Sequence, residues 1–123
     1  HYKLAVVTTR ARAEAHAFVE QAGFHDVFSV IITREDIFRM KPHPAPIHKA
    51  ARLLGPSQER CIMVGDTAMD VRAARRAGAF AVGVLSGFGN RRELDRSGAD
   101  LILDRAVELL AYLPEGQEIV DRC

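Results

Sequence analysis

Five short, largely apolar runs punctuate this chain, at residues 4–7, 30–33, 61–64, 80–85 and 101–103. Unbroken apolar character, rather than alternation, marks strands covered on both faces. Between the runs lie stripes at helical spacing. Ala11, Ala15, Phe18, Val19 and Ala22 form one, stopped by Gly23; Ile47, Ala50, Ala51 and Leu54 form another, closed by Gly55-Pro56. An alanine-rich helix from about residue 67 to 77 ends at Gly78, Asn90 and Glu93 have capping-box spacing, and Ala106, Leu109, Leu110 and Leu113 stripe a last helix. The order βαβαβαβαβα with short loops predicts an α/β fold, an open parallel sheet with helices on both faces and right-handed crossovers. In such a sheet the functional residues lie just beyond the carboxyl ends of the strands.

A length of 123 residues allows one compact domain, expected over 1–113, followed by a loose polar tail over 114–123. The 48% apolar and 27% charged residues exclude a disordered chain. No apolar run approaches the ~18 residues of a membrane helix, and no secretory leader is visible. A net charge of +1 gives no field that would argue for nucleic acid. Cys61 reads as a small buried hydrophobe and Cys123 as a frayed terminus. They make neither a disulfide framework nor a metal knuckle, so a reducing cytoplasm is the expected compartment.

Residues after the strands carry the chemistry. Thr8 and Thr9 follow the first run, where a hydroxyl and free N–H groups suit an anion. A plain helix cap is the simpler reading of that pair alone. Lys41 sits in Met40-Lys41-Pro42-His43-Pro44-Ala45-Pro46, a loop stiffened by three prolines that would hold an ammonium in place. A solvated surface lysine is the commoner alternative. Asp66 and Asp70, in Gly65-Asp66-Thr67-Ala68-Met69-Asp70 directly after a strand, could hold one hard divalent cation. Alternatively both merely complement the helix dipole. His16, His25, His43 and His48 lack metal-ligand spacing on one helix face, and Arg72, Arg75 and Arg76 read as a solvated face. Gly87-x-Gly89 is too short for a dinucleotide fingerprint, and no Gly-x-Ser-x-Gly elbow occurs.

Taken in order, VVTTR, MKPHPAP and IMVGDTAMDVRAARRAG resemble the haloacid dehalogenase (HAD) superfamily of hydrolases. The likeness is to phosphatases with an early helical cap, near the phosphoglycolate phosphatases and related pyrophosphatases, over roughly residues 2 to 113. The resemblance implies a Rossmann-like core and roles for five residues. Thr8 would hydrogen-bond the transferring phosphoryl group and Thr9 would lend its N–H. Lys41 would neutralise phosphoryl and nucleophile charge. Asp66 would ligate Mg²⁺, and Asp70 would orient a metal-bound water or the lysine. Phosphoryl transfer needs little beyond positive charge and fixed donors around three equatorial oxygens.

One motif is absent. No Asp-x-Asp occurs in the sequence, whereas the family's opening Asp-x-Asp-x-Thr supplies the phosphorylated aspartate and the acid for the leaving group. The chain thus reads as the C-terminal part of a longer protein, without the first strand and the cap. The missing strand would lie between those ending at Thr8 and Gly65. Two open edges, a gap or rearranged pairing is then expected, with the missing segment or another chain as a partner there. Direct closure would bring Thr8 and Asp66 within about 4.8 Å and crush the site. The leading expectation is a Mg²⁺-dependent phosphohydrolase acting on a small phosphorylated substrate, inactive as this chain alone. A catalytically inactive binding module is the alternative. A phospho-receiver has its acidic pair, Thr and Lys in a different order, and the dehalogenase branch requires the same missing aspartate. Phosphoglycolate, pyrophosphate and a sugar phosphate all remain open.

Overall fold

The structure, a computed structural model, describes residues 2–24, 26–39, 41–55, 60–113 and 118–121. The five apolar runs form strands close to their expected bounds: β1 (Leu4–Val7), β2 (Phe28–Ile32), β3 (Cys61–Gly65), β4 (Phe80–Val84) and β5 (Leu101–Leu103). A further strand, β6 (Glu118–Asp121), joins them in one parallel sheet of order β2-β1-β6-β3-β4-β5. The helices are α1 (Arg12–Gln21), α2 (Ala45–Leu54), α3 (Ala68–Ala77) and α4 (Arg91–Arg96).

Both faces of the sheet are covered, as the unbroken apolar strands require. On one face, Ile47, Ala50 and Ala51 of α2 and Val71, Ala73 and Ala74 of α3 pack on Ala5, Val7, Met63 and Ala81. The run of alanines lets both helices approach the strands closely. On the other face, Ile62, Val64, Val82 and Val84, alternating with the first set, form a smaller core with Leu103 and Leu109. Val19 of α1 borders a hollow with Ile31 of β2. Cys61 is buried. Among the described residues, no helix is long and apolar enough to cross a membrane.

Four expectations need correction. The proline loop ends sooner than expected: α2 starts at Ala45 and takes Pro46 into its first turn, where a missing N–H removes no helical bond. Phe18 is half exposed, and only Ala15 and Val19 of α1 are buried. The last stripe winds as a 3-10 stretch over Ala106–Tyr112, which buries Leu109 but leaves Leu110 outside.

The fourth correction concerns the tail, part of which is a central strand. Leu4, Ala5 and Val6 pair with Ile119, Val120 and Asp121, which also pair with Ile62, Met63 and Val64. The edges of β1 and β3 are therefore not open; the pairing is rearranged. Interior strands with unpaired N–H and C=O groups are costly, and an Ile-Val segment can satisfy both ladders at once. Two strand spacings, about 9.6 Å, now separate β1 from β3, so the site is not crushed. His25, Met40, Pro56, residues 114–117 and Cys123 lie outside the described residues.

Candidate active site

The carboxyl ends of β1 and β3 and the proline loop meet at one place. Thr8 follows β1 and is buried; its N–H donates to the Ile32 carbonyl at 3.0 Å. Its hydroxyl accepts the Arg10 N–H at 3.1 Å. Neither threonine caps α1. The N-cap is Ala11, and the Arg12 N–H goes instead to Glu35 Oε1 at 2.8 Å. Thr9 is exposed beside it.

Lys41 is not a surface lysine. Its side chain is 4% exposed and its ammonium stands 2.7 Å from Asp70 Oδ1. The same Nζ donates to the Val7 carbonyl at 3.3 Å, one residue before Thr8. A buried ammonium without a counter-charge costs several kcal/mol, so the pairing with Asp70 and the carbonyl is what makes this position tenable. The loop is anchored from both sides. Arg76 donates to the Pro42 carbonyl at 3.2 Å, and His43 Nδ1 accepts the Ala45 N–H at 3.1 Å.

Asp70 both caps its own helix and holds the lysine. Its Oδ2 accepts from the Thr67 hydroxyl at 2.9 Å and from the N–H groups of Thr67 and Asp66, each at 3.2 Å. Its own N–H donates to Thr67 Oγ1 at 3.3 Å, so the two residues cap α3 reciprocally. Its Oδ1 meanwhile holds Lys41. Gly65 makes this possible, because a Cβ there would fall on the Asp70 side chain.

Asp66 lies at the end of β3, 8% exposed. Its Oδ2 accepts the Phe88 N–H at 3.1 Å, and its carbonyl accepts the Gly89 N–H at 2.8 Å. Among the described residues, no group of three or more His, Cys, Asp or Glu gathers to cage a metal. Mg²⁺ does not need such a cage. It keeps most of its waters and binds through one or two carboxylates plus substrate oxygens, so Asp66 fits as its protein ligand. Asp70, with both oxygens engaged by Lys41 and Thr67, fits better as the residue that orients the lysine.

Hydrogen bonds thus join Lys41, Asp70 and Asp66, and Lys41 also reaches the Val7 carbonyl, one residue before Thr8 and two before Thr9. Two features escaped sequence reasoning. The loop at 86–89 touches Asp66 through backbone N–H groups, which leave no mark in residue type. The arginines of α3 are not simply solvated, since Arg75 pairs with Asp100 at 2.8 Å and Arg76 holds the proline loop.

Residues 1–84 match the model of the haloacid dehalogenase-like hydrolase family, and the chain belongs to that family. Among its relatives, the pyrophosphatase PpaX of Bacillus cereus is 33% identical over 114 residues, covering 93% of this chain and 53% of that protein. The PpaX of Bacillus mycoides is 34% identical over 112 residues, covering 91% and 52%. A crystal structure of a predicted phosphoglycolate phosphatase from Haemophilus somnus superposes with a TM-score of 0.83 at 29% identity, covering 90% of this chain and 49% of that one. CbbY from Rhodobacter sphaeroides, solved in complex with phosphate, superposes at 0.78 with 29% identity, covering 87% and 48%. The chain spans about half the length of the relatives it matches.

Proposed function

We propose that these residues form most of the active site of a Mg²⁺-dependent phosphohydrolase, acting on a small phosphomonoester or on pyrophosphate. The observation that carries the reading is the buried Lys41 ammonium, held between Asp70 and the end of β1 next to Thr8. A fixed cation at the mouth of a parallel sheet, beside a hydroxyl and a metal-binding carboxylate, suits a phosphoryl group and little else.

In this reading a carboxylate supplied from outside these 123 residues attacks phosphorus, and the leaving oxygen departs with a proton. Water then cleaves the acyl phosphate, releasing phosphate and restoring the carboxylate. Thr8 donates its hydroxyl to a phosphoryl oxygen, and the Thr9 N–H assists. Lys41 balances the charge of the phosphoryl oxygens and the attacking carboxylate. Asp70 keeps the ammonium in place, and Asp66 binds Mg²⁺. The ion, when bound, adds positive charge against the same oxygens. The relatives named for pyrophosphate and phosphoglycolate favour those two substrates.

Release of phosphate from pyrophosphate, phosphoglycolate and a sugar phosphate tests this, with the chain alone and with an added N-terminal segment bearing Asp-x-Asp-x-Thr. Mg²⁺-dependent turnover only in the combined sample is expected. Turnover by the chain alone contradicts an external nucleophile. Asp121, whose backbone lies opposite Val6 and Val64 at the end of the central strand, is then the residue to change to Asn.

A further inference from the structure

The loop between β4 and α4 wraps around Asp66. The Phe88 N–H holds the carboxylate through Oδ2, and the next amide, that of Gly89, holds the carbonyl of the same residue. A Cβ at Gly87 would fall on the Asp66 carboxylate, and one at Gly89 on the Asp66 carbonyl oxygen. Neither glycine has a positive φ. Closeness, not backbone conformation, is what demands them.

We propose that residues 87–89 (Gly-Phe-Gly) position the Asp66 carboxylate for single-oxygen coordination and thereby set a preference for Mg²⁺ over Ca²⁺. The inference rests on Asp66 being the cation ligand of the proposed phosphohydrolase site. A hydrogen bond to Oδ2 occupies one of its lone pairs and fixes the plane of the carboxylate. That arrangement disfavours chelation through both oxygens. Mg²⁺ demands a strict octahedron at about 2.0–2.1 Å, whereas Ca²⁺ accepts two-oxygen carboxylates at about 2.3–2.6 Å. Hydrogen bonds behind a metal ligand commonly change affinity by about 10–100-fold.

Isothermal titration of the full chain with MgCl₂ and with CaCl₂ tests the proposal, using Gly87→Ala, Ser86→Ala and Asp66→Asn, with folding followed by circular dichroism. Gly87→Ala is expected to weaken Mg²⁺ about tenfold or more and Ca²⁺ much less, so that the Mg²⁺/Ca²⁺ ratio falls. Ser86, exposed on the same loop, changes to Ala without moving the ratio. A parent-like ratio in folded Gly87→Ala overturns the proposal while leaving the phosphohydrolase reading intact. Unchanged binding in Asp66→Asn overturns the ligand assignment and the proposal with it. Should Gly87→Ala fail to fold, the parent protein decides by NMR. The Phe88 amide proton is expected to shift on addition of Mg²⁺ and less on addition of Ca²⁺; an amide unmoved by either ion overturns the proposal.

Discussion

Lys41 and Asp70 meet at 2.7 Å with side chains only 4% and 2% exposed, which ties the proline loop to the first turn of α3. The same pair fixes the buried Lys41 ammonium beside the end of β1. In the proposed active site, function and stability would therefore be coupled at this contact.

Lys41→Met removes the ammonium that stands 2.7 Å from the buried Asp70 carboxylate. The expected loss is ~3–5 kcal/mol of unfolding free energy, read by urea denaturation. Adding Asp70→Asn removes the buried negative charge as well, so the double variant should recover part of that loss. Equal stability of the single and double variants contradicts the pairing.

Thr67→Ala removes the N-cap of α3 and one donor to Asp70 Oδ2. A loss of about 0.5–2 kcal/mol is expected in thermal unfolding, with Thr67→Ser close to the parent.

Val120→Pro deletes a ladder N–H in the strand between β1 and β3. Because that strand is central, a destabilisation of ~2 kcal/mol or more is expected. Amide exchange should accelerate in both β1 and β3. Unchanged protection in these strands would show that 118–121 does not fill the slot in solution.

Asp36 gives the pH dependence a sign. Burial pushes its carboxyl up, but the Thr33 N–H and hydroxyl and the Arg12 guanidinium outweigh this and hold it below the usual range. A depressed folded value stabilises above the unfolded pKa of about 3.9 and is lost as pH falls through the folded one. Asp36→Asn should therefore lower the Tm near neutrality, with the difference shrinking below about pH 4. A constant difference down to pH 2 contradicts the assignment.

Thr8, Lys41, Asp66 and Asp70 were legible because each lies just beyond an unbroken apolar run or in a loop that proline stiffens. Side-chain chemistry and strand ends are both visible in residue order. The Phe88 and Gly89 amides were not, since any residue type carries an N–H. The strand at Glu118–Asp121 was missed because two apolar residues between acids show no periodicity, and only the vacant place between β1 and β3 selects it. Leu110 misled for a related reason: spacing of three and four marks an α-helical stripe, but the segment winds with a three-residue repeat that turns Leu110 outward.

Chemical-shift mapping of inorganic phosphate onto the full chain, with and without Mg²⁺, reaches the central claim most directly. Saturable shifts should gather on the amides of 8–10, 41, 65–67 and 86–89, tighten when Mg²⁺ is present, and vanish in Asp66→Asn. Shifts centred instead on the basic groove of Arg39, His48, Lys49 and Arg52, or no saturable shift at all, would contradict a phosphate site built from Thr8, Lys41 and Asp66.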